Sequence, residues 1–294
     1  MENIILSKDT LELTLCPPSF EDGYYRGTRF DHSGIFRKIE IDGFTIADEW
    51  FDRYNPMAHD AVCGTSEEFG QNGYEDAQAG KVFIKPGVGL LVKEDDAPYD
   101  HFKLYKVADA GKWTVTCDED TAVFVHVVDS DDWGYVYEKV VRIIDSNHYE
   151  ISHRLCNTGQ NVLEGEMYNH NFFTFGDARP GPEIEIDFPF SPCGNWRAEY
   201  DSVALSPKGI RYSRPILQGE SVFIGNLKPS DGSEITGEVF SMSAGGHRVT
   251  FCADLPFHRI AFWSNHRVGC IEPFIPYCLE PGDELDWTYA YEIR

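Results

Sequence analysis

The C-terminal run Leu285, Trp287, Tyr289, Tyr291 and Ile293 places a large apolar residue at every second position. Side chains two apart share one face of a strand, whereas a helix returns to the same face about every 3.6 residues. That run therefore folds as a half-buried strand. Glu183-Ile184-Glu185-Ile186-Asp187-Phe188 alternates with the same period. Tyr135 to Ile144 is rich in β-branched and aromatic residues and ends at the turn cluster Asp145-Ser146-Asn147. A strand from Tyr149 to Leu155 stops at Asn157-Thr158-Gly159, and another runs from Val162 to Phe175. No long segment has the helical period, so any helix is short and joins strands. Many strands separated by short Asp/Asn/Gly turns predict an all-β protein, a sandwich or barrel. No Ser/Gly-rich linker or internal repeat divides the chain. Residues 1–294 are expected to form a single domain, and that length suffices for one large core.

Charge narrows the function. The formal net charge of −24 argues against nucleic acid, whose binders carry basic patches, and against anionic lipid surfaces. An anionic field also favours a neutral ligand over a sugar phosphate, unless a local arginine pair overrides it. No apolar run approaches the ~20 residues needed to cross a membrane. The first residues show no basic segment followed by a long apolar core, so no secretory signal is read. The eight cysteines are scattered without a C-x-x-C pair, which disfavours zinc or redox motifs. They are read as reduced, buried thiols of a cytoplasmic protein.

The chemistry is concentrated at Tyr168-Asn169-His170-Asn171-Phe172-Phe173. Alternation puts Tyr168, His170 and Phe172 on one face and Asn169, Asn171 and Phe173 on the other. Flat aromatic faces beside polar groups suit a sugar. His170 is the titratable group here, either a core histidine or a proton donor and acceptor near neutrality. About a hundred residues on, Glu272 follows Cys270-Ile271 and precedes Pro273, which forces it into an extended conformation. A carboxylate among such neighbours must pair, protonate or face a cleft. It serves either as a general base or as a partner for Arg259 or Arg267.

Two N-terminal segments could contribute. Cys63-Gly64-Thr65-Ser66-Glu67-Glu68-Phe69-Gly70, followed by Phe83 to Gly89, reads as a loop at a strand end. Its Glu67 and Glu68, with Lys85, either bind hydroxyls or form a salt bridge. Tyr24 to Gly34 combines aromatics, Arg26, Arg29 and His32, where arginine's planar fork suits either a diol or an ion pair. Asp129-Ser130-Asp131-Asp132 lacks the spacing of a calcium loop and reads as a hairpin tip. There is no phosphate-binding loop, dinucleotide fingerprint, nucleophile elbow or H-E-x-x-H motif.

Several segments, in order, resemble the galactose mutarotase-like (aldose 1-epimerase-related) family. They are Leu155-Cys156-Asn157-Thr158-Gly159, the strand reaching Asn169-His170 and Phe172-Phe173, Gly181-Pro182 before Phe188-Pro189-Phe190, Cys270-Ile271-Glu272-Pro273, and Pro281-Gly282-Asp283 before the Trp287 strand. The N-terminal half is similar to an uncharacterised branch. The resemblance implies a large antiparallel supersandwich with a sugar on a concave sheet face. It implies that Glu272 removes the anomeric hydroxyl proton while His170 protonates the ring oxygen. It implies no metal and no cofactor, and a small carbohydrate as the partner. Arg29 is the candidate for the family's substrate-binding arginine, with Glu67, Glu68, Lys85, Tyr168, Asn169 and Phe172 as further contacts. The region matching the family's second histidine, Gly64 to Gly89, has none, leaving Lys85 or His59 as stand-ins. The sequence thus supports an aldose 1-epimerase acting on a neutral sugar, or a carbohydrate-binding protein on the same fold without catalysis.

Overall fold

In the computed structural model, which describes residues 2–294, the alternating runs become two antiparallel sheets. The larger sheet has ten strands and the smaller has six. Four- and three-stranded sheets, formed from Ile4–Ala47 and Val82–Asp109, complete the chain. No helix occurs among the described residues. The short helices expected between strands are replaced by turns.

The centre of the large sheet is laid down by Gly134–Asp145, His148–Asn157 and Glu284–Ile293. Their inward residues Tyr135, Tyr137, Tyr149, Trp287, Tyr289 and Tyr291 are all buried. They meet the smaller sheet through Phe69, which packs on Tyr137 and Trp287, and Phe173, which packs on Tyr291. The core is thus the aromatic layer between two sheets. The alternation at Glu183–Phe188 holds, with Ile184, Ile186 and Phe188 buried, although only Glu185–Asp187 pairs as strand. Asp129 to Asp132 lies in the hairpin between Thr121–Asp129 and Gly134–Asp145.

The smaller sheet runs in the order Pro192–Trp196, Ser221–Pro229, Arg259–Asn265, Gly269–Leu279, Leu163–Phe173, Gly64–Phe69. Asn157 ties two of these strands together. Its side-chain amide donates to Asn161 and Leu279 carbonyls at 2.9 and 2.8 Å, while its oxygen accepts from Gly159 N–H at 3.0 Å. The Asn-Thr-Gly turn therefore fixes both the entry to Leu163–Phe173 and the exit from Gly269–Leu279.

Two expectations are corrected here. Gly64–Phe69 is a fully buried edge strand, not a loop. Its Thr65, Ser66, Glu67 and Glu68 are all buried polar residues, of which Ser66, Glu67 and Glu68 find hydrogen-bond partners, so no hydrophobic alternation marks it. Gly64 begins it at φ 57°, where a Cβ would stand 2.8 Å from that of Phe36. The eight cysteines are all free, but only Cys16, Cys63 and Cys270 are buried, while Cys117, Cys193 and Cys278 are exposed.

Candidate active site

Strand register builds the site in three rows on the outer face of the six-stranded sheet. One row is Glu68, Tyr168, Phe274 and Arg259. Another is Gly64, Phe172, Cys270, Trp263 and Phe223. Between them Ser66 opposes His170, and Glu272 opposes Ala261. Pairing between Leu163–Phe173 and Gly269–Leu279 runs to Tyr168 and Phe274 and resumes at Asn171 and Ile271. The same register sets His170 opposite Glu272 inside that gap. Pro273 causes the gap, because it has no N–H to give. Asn171 fills it from the other face, donating to the Ile271 carbonyl at 2.9 Å.

His170 Nε2 lies 3.4 Å from Glu272 Oε1. Neither Arg259 nor Arg267 pairs with Glu272: Arg259 binds Glu166 and Arg267 binds Asp52. The imidazole stacks on Phe172 at 3.9 Å and 2°, and Phe172 stacks in turn on Trp50 at 5.3 Å. Burial, and then the charge of Arg29, hold His170 well below the usual histidine range. Burial pushes Glu272 up to about 7, although Arg29 pulls against it. The imidazole is therefore neutral at pH 7, and below about pH 7 the pair's proton is on Glu272.

A cleft of about 600 Å³ opens over this pair, within the usual range for a small-molecule site. Arg29, Tyr168, Phe172 and Phe274 line it, with His59 and His101 at the same end as Arg29. Glu68 stands behind that end and organises it. It accepts from Arg29 Nε at 2.6 Å, from Lys85 Nζ at 3.2 Å and from the Tyr168 hydroxyl, and lies 3.4 Å from His101 Nδ1. Arg29 also donates to Tyr168 at 2.8 Å and to His59 at 3.4 Å. Burial alone would raise Glu68, but Lys85 and Arg29 hold it well below the carboxylate range.

The structure thus brings Arg29, Glu68, Tyr168, His170, Phe172 and Glu272 together. It places three expected contacts elsewhere. Glu67 and Asn169 point between the sheets, where Asn169 donates to Glu67 at 3.1 Å. Lys85 is wholly buried and reaches Glu68 and the Tyr99 hydroxyl, not the cleft. Sequence reasoning missed His101, Phe102, Trp50, Trp263, Arg197 and Phe223, all of which line the cleft. The run Tyr99-Asp100-His101-Phe102 was the available signal, an aromatic cluster around a histidine in a loop.

Solved structures decide the architecture. A putative aldose 1-epimerase from Escherichia coli K12 superposes with a TM-score of 0.62 at 12% identity, covering 100% of this chain and 99% of that one. The chain has the galactose mutarotase-like fold. A galactose mutarotase related enzyme from Lactobacillus acidophilus gives a TM-score of 0.60 at 10% identity, over 100% and 97% of the two chains. A galactose 1-epimerase from Lactobacillus acidophilus NCFM gives 0.58 at 10%, over 99% and 94%. No family model matches the sequence, and no curated protein does. At these identities the likeness is one of the galactose mutarotase-like fold. No helix among the described residues is long and apolar enough to cross a membrane.

Proposed function

We propose that this protein interconverts the anomers of an aldose by acid–base ring opening and closure. The observation that carries the reading is the His170–Glu272 pair, 3.4 Å apart beneath an aromatic-walled cleft. The reaction needs one base and one proton. The base removes the proton from the anomeric hydroxyl as the bond from C1 to the ring oxygen breaks, and the pair's proton goes to that oxygen. An open-chain aldehyde results. Rotation about C1–C2 and closure on the opposite face reverse both transfers and restore the pair.

A carboxylic acid beside a neutral imidazole holds the required single proton, as a carboxylate beside an imidazolium would. Glu272 acts as base and His170 as acid once that proton has crossed to the imidazole. Arg29 and Tyr168 bind sugar hydroxyls, and Phe172 and Phe274, whose faces are covered by His170, Trp50, Tyr168 and Arg259, border the ring with their edges. His59, one of the two stand-ins read from the sequence, lines the cleft at the Arg29 end together with His101. Their presence favours catalysis over binding alone.

The proton count sets the pH dependence. As pH rises through about 7, Glu272 loses its proton while His170 is already neutral, and the one-proton form disappears. On the acid side that form persists until His170 gains a second proton, well below the usual histidine range. The profile of kcat/KM should therefore be bell-shaped, with its alkaline limb near pH 7. NMR of anomer exchange across a panel of aldoses from pH 4 to 9 measures it. Exchange that climbs through pH 7 to a plateau would contradict the one-proton scheme, and no exchange on any aldose would contradict the function.

A further inference from the structure

The cleft is lined by charges of both signs, Asp60 and Glu272 as well as three arginines. In a chain of net charge −24, its lining includes Arg29, Arg197 and Arg259. Two of these are neutralised, Arg29 by Glu68 and Arg259 by Glu166. Arg197 is not. Its guanidinium lies 4.2 Å from the centre of the Phe223 ring, it is exposed, and among the described residues no carboxylate pairs with it. Its backbone N–H donates to the Phe223 carbonyl at 3.3 Å, which seats it on that strand.

The position of Arg197 matters as much as its charge. Phe223 lies two strands from Glu272, about 10 Å at the usual strand spacing, on the side away from Arg29. A sugar with its anomeric centre at His170 and Glu272 would extend toward one end or the other. At the Arg29 end, the guanidinium already has carboxylate and hydroxyl partners. At the Arg197 end, a planar five-donor fork stands without one, which suits a bidentate anion. Arg197 and Arg259 are also near enough to draw Glu272 toward its ionised form.

Resting on the proposed function, we infer that the substrate is an anionic aldose, bearing a phosphate or carboxylate remote from its anomeric carbon, and that Arg197 binds that group. The overall charge favours neutral ligands in bulk, but a guanidinium in direct contact with the ligand outweighs a diffuse, salt-screened field.

The test compares glucose and galactose with their 6-phosphates and with glucuronate and galacturonate. Anomer exchange is followed by NMR and binding by calorimetry, for wild type, Arg197→Ala, Arg197→Lys and the surface control Arg154→Ala. At least one anionic sugar should exceed its neutral parent tenfold or more in kcat/KM. Arg197→Ala should cut that ratio at least tenfold, mainly through KM, Arg197→Lys should restore part of it, and Arg154→Ala should leave it unchanged. Preference within the 6-phosphates or within the uronates identifies the anion. Equal or better use of neutral parents, or a ratio indifferent to Arg197→Ala, overturns the inference and leaves the mutarotase reading standing. If no sugar exchanges faster than with the His170→Ala/Glu272→Gln variant, that reading falls. Calorimetry then decides this one, through the presence or absence of Arg197-dependent selectivity for the anionic sugars.

Discussion

Replacing His170 with Ala or Glu272 with Gln is expected to slow anomer exchange by about 10²–10⁴-fold. Each change removes one half of a proton relay that works only as a unit, so the double variant should be little worse than the poorer single one. Sugar binding should survive in all three, because Arg29, Tyr168 and the aromatic walls remain. Saturation-transfer NMR reads exchange, and calorimetry reads binding. Double-variant exchange equal to wild type on every sugar bound would refute the catalytic assignment.

Glu272→Gln also has a stability signature that a merely structural glutamate paired to an arginine would not give. Burial raises Glu272 to about 7, above the ordinary carboxylate value, so the folded protein holds this proton to higher pH than the unfolded chain. The folded state therefore loses stability as pH rises from the carboxylate range through about 7, and above it bears the full cost of a buried, ionised group. Removing that charge should stabilise the protein by on the order of 1–3 kcal/mol at pH 8 and have little effect at pH 5. Urea unfolding at the two pH values measures the difference. A loss of stability at pH 8 would mean that the carboxylate is well paired after all.

How far these residues could be read from sequence follows from what each depends on. The Leu285–Ile293 alternation is a local property, and it survived intact as the strand Glu284–Ile293. His170 and Glu272 were visible because a titratable group within an apolar strand is conspicuous in one dimension. Asn169 was placed in the site although strand parity already set it on the face opposite His170, and parity decided the matter. Glu67 and Glu68 are neighbours with opposite fates. Only the cross-strand partners, Asn169 for Glu67 and Tyr168 for Glu68, tell which one faces the cleft. His101, Arg197 and Trp50 come from loops and strand ends, where no periodicity operates and proximity is created by the sheet order.

The buried face of that same edge strand leads to the largest expected effect on folding. Glu67, Lys139, Asp31 and His153 are all buried between the sheets, with Lys139 bonded to Glu67 and 3.4 Å from Asp31, and His153 Nε2 3.3 Å from Glu67. Burial alone would raise Glu67, yet Lys139 and then His153 hold it down to about 2, while Asp31, less well served, is raised by burial to about 6. One ammonium thus compensates two carboxyl groups. Lys139→Met keeps most of the side-chain volume and removes the charge, leaving Glu67 and Asp31 without a cation in a low-dielectric layer. Breaking such a pair typically costs about 3–5 kcal/mol. Both carboxyls then hold protons to higher pH in the folded variant than in the unfolded chain. The loss should accordingly be greatest at pH 8 and shrink as pH falls toward 5, the reverse of acid denaturation driven by paired carboxylates. The partner strand of Glu67 carries Asn169, so His170 and Tyr168 on its other face should shift with it, and anomer exchange should fall at temperatures where the variant is still folded. Urea unfolding of Lys139→Met at pH 5 and 8 tests the energetic argument. A variant as stable as wild type at pH 8 would show that the buried ions contribute nothing net, and that the sheets are held in register by their aromatic layer alone.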